Sequence, residues 1–344
     1  MHRTARGNVL SPKEVEEVDR EGLCQAYTKW PASIRKSLNQ PLNLPRIGKV
    51  TSVVLGGMGG SGSACDILAE WVRPRVRVPV VVVKDYHLPA FAGRGTLVMV
   101  VSLSGETKET ISLFRESVER RCPSVGFSSG GTLEKLCGEA GVPFNRVDRL
   151  LVPRASIPGM VILPARALVG LGLIEPVEFK KVTASVAGAL SSSAPSVPYE
   201  RNPSKKLAKA LHGKSVVVYS ASTLCSIAHH FKASMNENAK VQVQAEEYPE
   251  LLHNEVETWV AGRNRTVVML RRRGGEDMMQ GKFDRLREIL RKNKVPTTQF
   301  EVDTGDLGSL LGVALTLDLT SAYLAVLEGT APAPTPVLTM MRNL

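Results

Sequence analysis

A glycine-rich turn that directly follows a β-rich run constrains the fold more than any other feature of this chain. "KVTSVVL" at 49–55 has the composition of a buried strand, and "GGMGGSGS" at 56–63 follows it without a break. Gly57, Gly59 and Gly62 spell G-x-G-x-x-G. Between a strand and a helix, a turn of this kind binds phosphate through its backbone amides and the helix N-terminus. The sequence therefore predicts an α/β domain with a phosphate site at its first turn.

Strand and helix patterns alternate along the rest of the chain. Further short apolar strands are predicted at 76–83, 96–104, 124–129, 142–147, 214–220, 265–272 and 297–303. Helical patterns separate most of them, which is typical of an α/β fold with parallel sheets flanked by helices on both faces. A capping box, "SPKE" at 11–14, predicts a helix near the N-terminus, and a long apolar helix is predicted at 307–328.

The length of 344 residues is enough for about two domains. A Ser/Pro-rich stretch at 191–204 predicts a linker, so we expect one domain over 1–190 and another over 205–344. Both halves share a plan of strand, serine-bearing loop and helix, which predicts a coarse internal repeat.

Composition argues against several classes of protein. The formal net charge is +11, but the basic residues are scattered and aromatic residues make up only 5% of the chain, which disfavours nucleic-acid binding. The longest apolar stretch, 156–176, is broken by prolines, glycines and Arg166 and is too short between breaks to span a membrane. The N-terminal residues lack the apolar core of a signal peptide. We expect a cytoplasmic protein that binds neither nucleic acid nor membrane.

The five cysteines are an odd number, and none of them lies in a C-x-x-C pattern. The spacing therefore indicates neither a zinc site nor a redox pair. We expect buried, free thiols.

A second hydroxyl-rich turn lies in "VVSLSGETKET" at 100–110, where Ser102, Ser104 and Thr107 surround the start of a helix. Helix capping explains one of these hydroxyls but not all three. In a parallel sheet this turn and the glycine-rich turn lie at the same carboxyl edge, which suits a compact phosphomonoester. Asp85, 23 residues beyond the last glycine of the first turn, leaves a dinucleotide site open as the alternative, because such a site requires an acid for the ribose.

A segment rich in acids, 236–259, surrounds one histidine and is predicted to fold as helix–loop–helix. Its acids and histidine are Glu237, Glu246, Glu247, Glu250, His253, Glu255 and Glu257. For any single glutamate, a solvated acidic face is the better interpretation. Taken together, a carboxylate and a histidine can serve as a base and a proton shuttle. The spacing matches no standard metal-ligand pattern.

Five segments together resemble a known family. They are "GGMGGSGSACD", "SLSGETKET", "PRAS", "MNENAK" and "PELLHNE". Their order and spacing are similar to those of the archaeal and bacterial bifunctional phosphoglucose/phosphomannose isomerases, which are sugar isomerase (SIS) domain proteins. The resemblance covers nearly the whole chain, and its most specific part is the pair NEN and HNE, with 16 residues from Glu237 to His253. "KDYHLP" at 84–89 also fits, which reassigns Asp85 to a structural position.

The resemblance implies two SIS domains, a homodimer with its sites at the interface, and no metal or organic cofactor. It implies a sugar phosphate held by the Gly59–Gly60 backbone, Ser61, Ser102, Ser104 and Thr107. Glu237 would be the base that moves a proton between C2 and C1, Arg154 would lie near the enediolate, and the partner subunit's His253 would open the sugar ring. These residue types suit aldose–ketose exchange, because a carboxylate can remove the proton and a guanidinium can stabilise the enediolate.

Two positions depart from the family pattern. Leu252 stands where the family has an asparagine before the histidine, and the tail "TPVLTMMRNL" has no lysine where the family carries one thought to assist ring opening. Arg342 is the nearest cation, and because arginine stays charged it is a poor proton donor. Thr335 lies near the position that the family links to accepting mannose 6-phosphate.

The sequence favours an isomerase that interconverts glucose 6-phosphate, and also mannose 6-phosphate, with fructose 6-phosphate. The first alternative is a non-catalytic sugar-phosphate sensor, which would keep the hydroxyl-rich turns but would not need Glu237 and His253 together. The second is an NAD-dependent oxidoreductase, for which Asp85 meets only part of the requirement.

Overall fold

The computed structural model describes residues 10–260, 264–274 and 277–342, and the chain folds as two units. We call Lys29–Ala184 the first unit, and Met1–Thr28 together with Ser185–Leu344 the second unit. This division differs from the predicted one in two ways. The stretch expected to be a linker lies inside the second unit, and the chain up to Thr28 groups with the second unit rather than with the first.

Side-chain contacts inside the second unit account for both differences. Lys205 is buried, and its Nζ donates to the backbone oxygens of Pro195 and Val197 at 2.8 Å each. The predicted linker is therefore folded against its own unit. Near the N-terminus, the hydroxyl of Tyr27 accepts a hydrogen bond from Asn238 Nδ2 at 3.2 Å, across 211 positions of sequence.

The helices and strands up to residue 170 are, in chain order, α1 (Pro12–Val18), α2 (Leu23–Thr28), α3 (Trp30–Asn39), β1 (Ser52–Gly56), α4 (Gly59–Val72), β2 (Val80–Val83), β3 (Thr96–Val101), α5 (Lys108–Glu119), β4 (Ser124–Ser128), α6 (Gly131–Glu139), β5 (Phe144–Arg146) and α7 (Ile157–Gly170). Those beyond it are α8 (Phe179–Ser193), α9 (Pro203–Leu211), β6 (Ser215–Ala221), α10 (Cys225–Ser234), β7 (Val243–Tyr248), β8 (Arg265–Arg272), α11 (Asp277–Lys292), β9 (Thr297–Val302), α12 (Leu307–Leu327) and α13 (Pro336–Arg342). The predicted capping box is confirmed, because Ser11 and Glu14 each accept the other's backbone N–H at the start of α1.

The first unit is built on a parallel sheet with the strand order β2-β1-β3-β4-β5. Strands β1 and β3 are buried along their whole length, as expected for central strands of a covered parallel sheet. Their core cluster includes Val54, Val98, Val100, Leu113, Phe114 and Leu133. The strand order reverses between β1 and β3, and open α/β sheets bind ligands beyond the carboxyl ends of the strands at such a point. The two turns singled out in the sequence follow these two strands.

The second unit contains a parallel sheet with the order β7-β6-β8-β9, which repeats the first four positions of the other sheet. The predicted α/β class and the shared plan are confirmed. The predicted helix–loop–helix over 236–259 is wrong in one respect, because Val243–Tyr248 forms an edge strand along β6. Glu246 is half-buried and Glu247 is exposed, so this strand lacks the apolar run of a central parallel strand.

Helix α12 is the long apolar helix that the sequence predicted, and it is the core helix of the second unit. Its length and composition would suit a membrane span, but 83% of its most apolar stretch is buried inside the protein. It packs against α2, α9 and α10. Its apolar composition is thus explained by burial within the unit.

None of the five cysteines forms a disulfide bond. Four of them, Cys24, Cys65, Cys122 and Cys137, are buried as predicted, and Cys225 is half-buried. Burial raises the pKa of Cys137 to about 12. The buried thiols therefore stay protonated near neutral pH.

Candidate active site

The glycine loop, residues 56–62, joins β1 to α4 and lies against another segment of the first unit. Gly59 has a φ of +53°, which favours glycine, and α4 begins there. A Cβ on Gly60 would lie 2.9 Å from the backbone nitrogen of Arg154 and 2.9 Å from the carbonyl carbon of Pro153. Glycine is required for this approach, so the first turn of α4 and the backbone at Arg154 are in direct contact.

The serine loop, residues 102–107, joins β3 to α5. Gly105 has a φ of +72°, and a Cβ there would lie 1.9 Å from the backbone oxygen of Gly130, so this position requires glycine. The carboxylate of Glu106 accepts hydrogen bonds from the backbone N–H and the hydroxyl of Thr132 at 2.7 Å each. These bonds lower the pKa of Glu106 and hold the loop in place.

The hydroxyl groups of the serine loop differ in what they contact. Ser102 is buried, and its Oγ donates to Thr107 Oγ1 at 3.4 Å. Ser104 is half-buried, and its Oγ accepts the backbone N–H of Glu106 at 3.2 Å. Thr107 is also half-buried and immediately precedes α5. Ser104 and Thr107 therefore keep surface that a ligand can reach, whereas Ser102 supports Thr107 from the interior.

Ser61 joins the glycine loop to the serine loop. Its Oγ accepts the backbone N–H of Leu103 at 3.1 Å and lies 3.2 Å from Met160 Sδ, and the residue is only 5% exposed. Because Ser61 and Leu103 are 42 positions apart, this bond fixes the spacing of the two loops. One edge of the first sheet thus brings together Gly59, Gly60, Ser61, Ser102, Ser104 and Thr107.

Arg154 lies on a short 3₁₀ turn, Pro153–Ala155, which contacts α4. Trp30 Nε1 donates to the backbone oxygen of Ala155 at 2.8 Å and so anchors the turn to α3. Arg154 is only 4% exposed, and burial of a guanidinium is unfavourable unless polar groups or an anion surround it. The turn places a buried positive charge beside the glycine loop.

Glu237 lies on a π-helical turn, Met235–Ala239, that continues α10. Such turns are rare and occur frequently at functional sites. Glu237 is half-buried, whereas its neighbour Asn238 is fully buried. The Nδ2 of Asn238 donates to Ser321 Oγ at 2.7 Å and to the Tyr27 hydroxyl at 3.2 Å. These bonds to α12 and α2 fix the turn that carries Glu237.

A buried polar network that the sequence analysis missed lies one turn before the π-helical turn. His230 Nε2 is 2.9 and 3.0 Å from the two carboxylate oxygens of Asp318, and Ser234 Oγ donates to the same carboxylate at 2.6 Å. His230 is 2% exposed and Asp318 is 0% exposed. The network joins α10 to α12. The sequence contains one indication of this network, which is an aspartate in the middle of the apolar helix α12. A buried carboxylate requires polar partners, so Asp318 implies such partners nearby.

The remaining candidate residues lie on exposed or short segments. His253 ends a 3₁₀ turn, Glu250–His253, and its side chain is exposed. Thr335 is half-buried and immediately precedes α13, and the side chain of Arg342, the last residue of that helix, lies outside the described residues. Asp85 follows β2 and is exposed, and its Oδ1 accepts the backbone N–H of the next residue at 2.6 Å. Within the described part of the chain, no three His, Cys, Asp or Glu side chains converge as a metal ion would require.

Comparisons with known proteins agree with the sequence motifs. A family model described as the bacterial phospho-glucose isomerase C-terminal SIS domain matches residues 200–344. A bifunctional phosphoglucose/phosphomannose isomerase from Aquifex aeolicus is 30% identical over 299 residues, which cover 85% of this chain and 89% of that protein. A protein of the same name from Caldicellulosiruptor bescii is 29% identical over 308 residues, which cover 86% of this chain and 89% of that protein.

Solved structures share the architecture. The C-terminal domain of glucosamine-fructose-6-phosphate aminotransferase from Francisella tularensis matches with a TM-score of 0.70 and 17% identity, covering 90% of this chain and 97% of that one. At this level of identity the likeness concerns the fold alone, and it agrees with the parallel α/β sheets. The family resemblance carried by the five sequence segments is confirmed by the curated relatives. The chain belongs to the bifunctional phosphoglucose/phosphomannose isomerase family.

Proposed function

We propose that this chain is an aldose–ketose isomerase that interconverts glucose 6-phosphate and mannose 6-phosphate with fructose 6-phosphate. Membership of the family supports this activity. The observation that carries the proposal is the hydrogen bond from the Leu103 N–H to Ser61 Oγ, which joins the two loops at the carboxyl edge of the first sheet. A phosphomonoester presents three oxygens to converging donors, and two joined loops can supply those donors.

The proposed phosphate site uses the backbone amides of Gly59 and Gly60 with the hydroxyls of both loops. Ser104 and Thr107 are half-buried and accessible to a ligand. The Ser61 hydroxyl already accepts a hydrogen bond, and its own proton faces Met160 Sδ, which is a weak acceptor. That proton is free to turn toward a phosphate oxygen, while Ser102 supports the site through Thr107.

Glu237 is the proposed base. It removes the proton from C2 of the aldose and returns it to C1, while a hydroxyl proton moves from O2 to O1, which converts aldose into ketose through an enediolate. A carboxylate can act in this way when it comes within about 2.6–3.2 Å of the reacting group. Its place on a turn fixed by Asn238 supports this role, because a base must be held in position. The Arg154 guanidinium would stabilise the negative charge of the enediolate.

We further propose a homodimer in which the partner subunit's His253 opens the sugar ring. The exposure of this residue supports the proposal, because a side chain offered to a second subunit must lie at the surface of the first. Histidine can donate and accept a proton near neutral pH. Arg342 is the proposed cation near the opening ring. Thr335 is the proposed residue that admits mannose 6-phosphate. We also propose that the protein is cytoplasmic.

A coupled assay tests the function. Purified protein receives fructose 6-phosphate without added metal or nucleotide, and the formation of glucose 6-phosphate and of mannose 6-phosphate is followed with separate coupling enzymes. We expect both products. Formation of only one would refute the dual specificity. Measurable binding of fructose 6-phosphate with no product would refute the isomerase and favour a non-catalytic sugar-phosphate sensor.

A further inference from the structure

Lys240 connects the π-helical turn to a proline-rich segment near the C-terminus. Its Nζ lies 2.7 Å from the backbone oxygen of Glu237 and 3.2 Å from that of Asn238. The same Nζ lies 3.0 Å from the backbone oxygen of Ala331 and 2.9 Å from that of Pro334. The ammonium group of Lys240 thus joins the π-helical turn to residues that lie 91 to 94 positions further along the chain.

Lys240 ends the π-helical turn in a left-handed backbone conformation. The residue has a φ of +59° at the C-terminal end of the π-helical turn, a position where glycine is favoured because other residues are strained. Here its three N–H groups are shared among four carbonyl oxygens, and hydrogen bonds from a charged donor are stronger than neutral ones. Its positive charge also complements the C-terminal end of the helical segment.

The segment on the other side, "APAP" at 331–334, presents the carbonyl oxygens of Ala331 and Pro334 to Lys240, and its Pro332 and Ala333 are buried. Pro332 and Pro334 have no backbone N–H, so half of its residues cannot donate a main-chain hydrogen bond. Thr335 follows Pro334 directly and precedes α13. The hydrogen bond from Lys240 to the Pro334 carbonyl therefore constrains the backbone immediately before Thr335.

We propose that Lys240 is a positioning residue that fixes Thr335 relative to Glu237 and thereby sets the preference between glucose 6-phosphate and mannose 6-phosphate. This inference rests on the proposed function, in which Glu237 is the base and Thr335 admits mannose 6-phosphate. The two aldoses differ only in configuration at C2, the carbon from which the base removes a proton. Because Thr335 is the residue proposed to admit the mannose epimer, its displacement should slow the mannose substrate more than the glucose substrate.

The test compares Lys240→Met with the wild type in kcat/KM for each aldose phosphate. We expect kcat/KM for mannose 6-phosphate to fall by about 10-fold and that for glucose 6-phosphate by about threefold or less, since a misplacement of about 1 Å can cost up to about 100-fold in rate. Lys240→Arg, which keeps a charged donor, should restore much of the original ratio. Lys206→Met removes an exposed lysine of α9 in the same unit and is the matched control, expected to leave both values unchanged.

A double-mutant cycle identifies the route of the effect. If Lys240 acts through Thr335, adding Lys240→Met to Thr335→Val should change the ratio of the two kcat/KM values no further. A ratio that changes additively would overturn the inference, and so would a folded Lys240→Met protein with the wild-type ratio. If Lys240→Met does not fold, the same ratio of kcat/KM values is measured for Lys240→Gln, which shortens the side chain and removes its charge.

The wild-type protein is assayed on both sugars first. A wild type that is inactive on either sugar refutes the proposed function, and this inference falls with it. An active wild type whose ratio is insensitive to every Lys240 variant refutes only the role of Lys240. Thermal unfolding is measured in parallel, because a lower Tm with an unchanged ratio would show a purely structural lysine and overturn the proposal.

Discussion

Replacement of Gly60 by alanine should damage the site through one contact whose geometry is known. The added Cβ would lie 2.9 Å from the backbone nitrogen of Arg154 and from the carbonyl carbon of Pro153. Both neighbours are backbone atoms and cannot rotate away, so reaching the 3.4 Å of ordinary contact requires the glycine loop and the turn to separate by about 0.5 Å. Overpacking of this kind lowers the free energy of unfolding by about 1–3 kcal/mol.

Gly60→Ala should damage catalysis as well as stability. In the proposed mechanism the glycine loop binds the phosphate and Arg154 stabilises the enediolate, so their separation moves two parts of the site at once. A misplacement of about 1 Å can cost up to about 100-fold in rate, and about half that displacement predicts a loss of about 10-fold in kcat/KM for fructose 6-phosphate.

Substitutions at two other glycines serve as controls that separate the steric contact at Gly60 from the general effects of replacing glycine by alanine. Gly93→Ala, in the same unit, adds a Cβ with nothing within 4 Å and should change neither kinetics nor stability. Gly59→Ala also meets nothing within 4 Å but has a φ of +53°, so it should lose about 1–2 kcal/mol of stability from backbone strain alone. Steady-state kinetics and urea unfolding are measured on all three variants. Wild-type kcat/KM in Gly60→Ala, or an equal loss in Gly93→Ala, would refute the reasoning.

Three further substitutions test other parts of the molecule. Glu237→Gln should abolish turnover while the Kd for fructose 6-phosphate, measured by calorimetry, stays within about threefold, because only the base is lost; retained turnover would remove Glu237 from that role. Ser104→Ala should raise KM for fructose 6-phosphate by about 10-fold, the value of one lost hydrogen bond to a charged group, and an unchanged KM would argue against the serine loop as a phosphate site. Asp318→Ala should lower the free energy of unfolding in urea by about 2–5 kcal/mol, because His230 and Ser234 lose their shared buried carboxylate, and a loss below about 1 kcal/mol would contradict a stabilising network.

The fold could be predicted where a strand's composition matches its place in the sheet. β8 has the predicted bounds, 265–272, because a strand covered on both faces is a continuous apolar run. β7 was missed because an edge strand that carries Glu246 and Glu247 has no such run. Composition therefore identifies central strands well and edge strands poorly.

The site could be predicted where its residues form local motifs. The glycine and serine loops are short stretches whose turns and hydroxyls are visible in the sequence. The bond between Ser61 and Leu103 spans 42 positions, and the one between Tyr27 and Asn238 spans 211 positions, so no local pattern encodes either of them. Such tertiary bonds fix the spacing of the two loops and hold α2 to the second unit.

The two sheets share a strand order, so each has one point at which that order reverses. In the first sheet this point lies between β1 and β3, and in the second it lies between β6 and β8. The glycine loop follows β1, whereas the turn after β6, Ser222–Leu224, contains no glycine. The proposed base, Lys240 and Thr335 all belong to the second unit. Under the proposed function, the phosphate-binding loops thus lie on one copy of the architectural plan, and the proposed base and Thr335 lie on the other. If these proposed roles hold, substitutions in the second copy should change which sugar is isomerised and leave binding of the shared phosphate by the first copy intact.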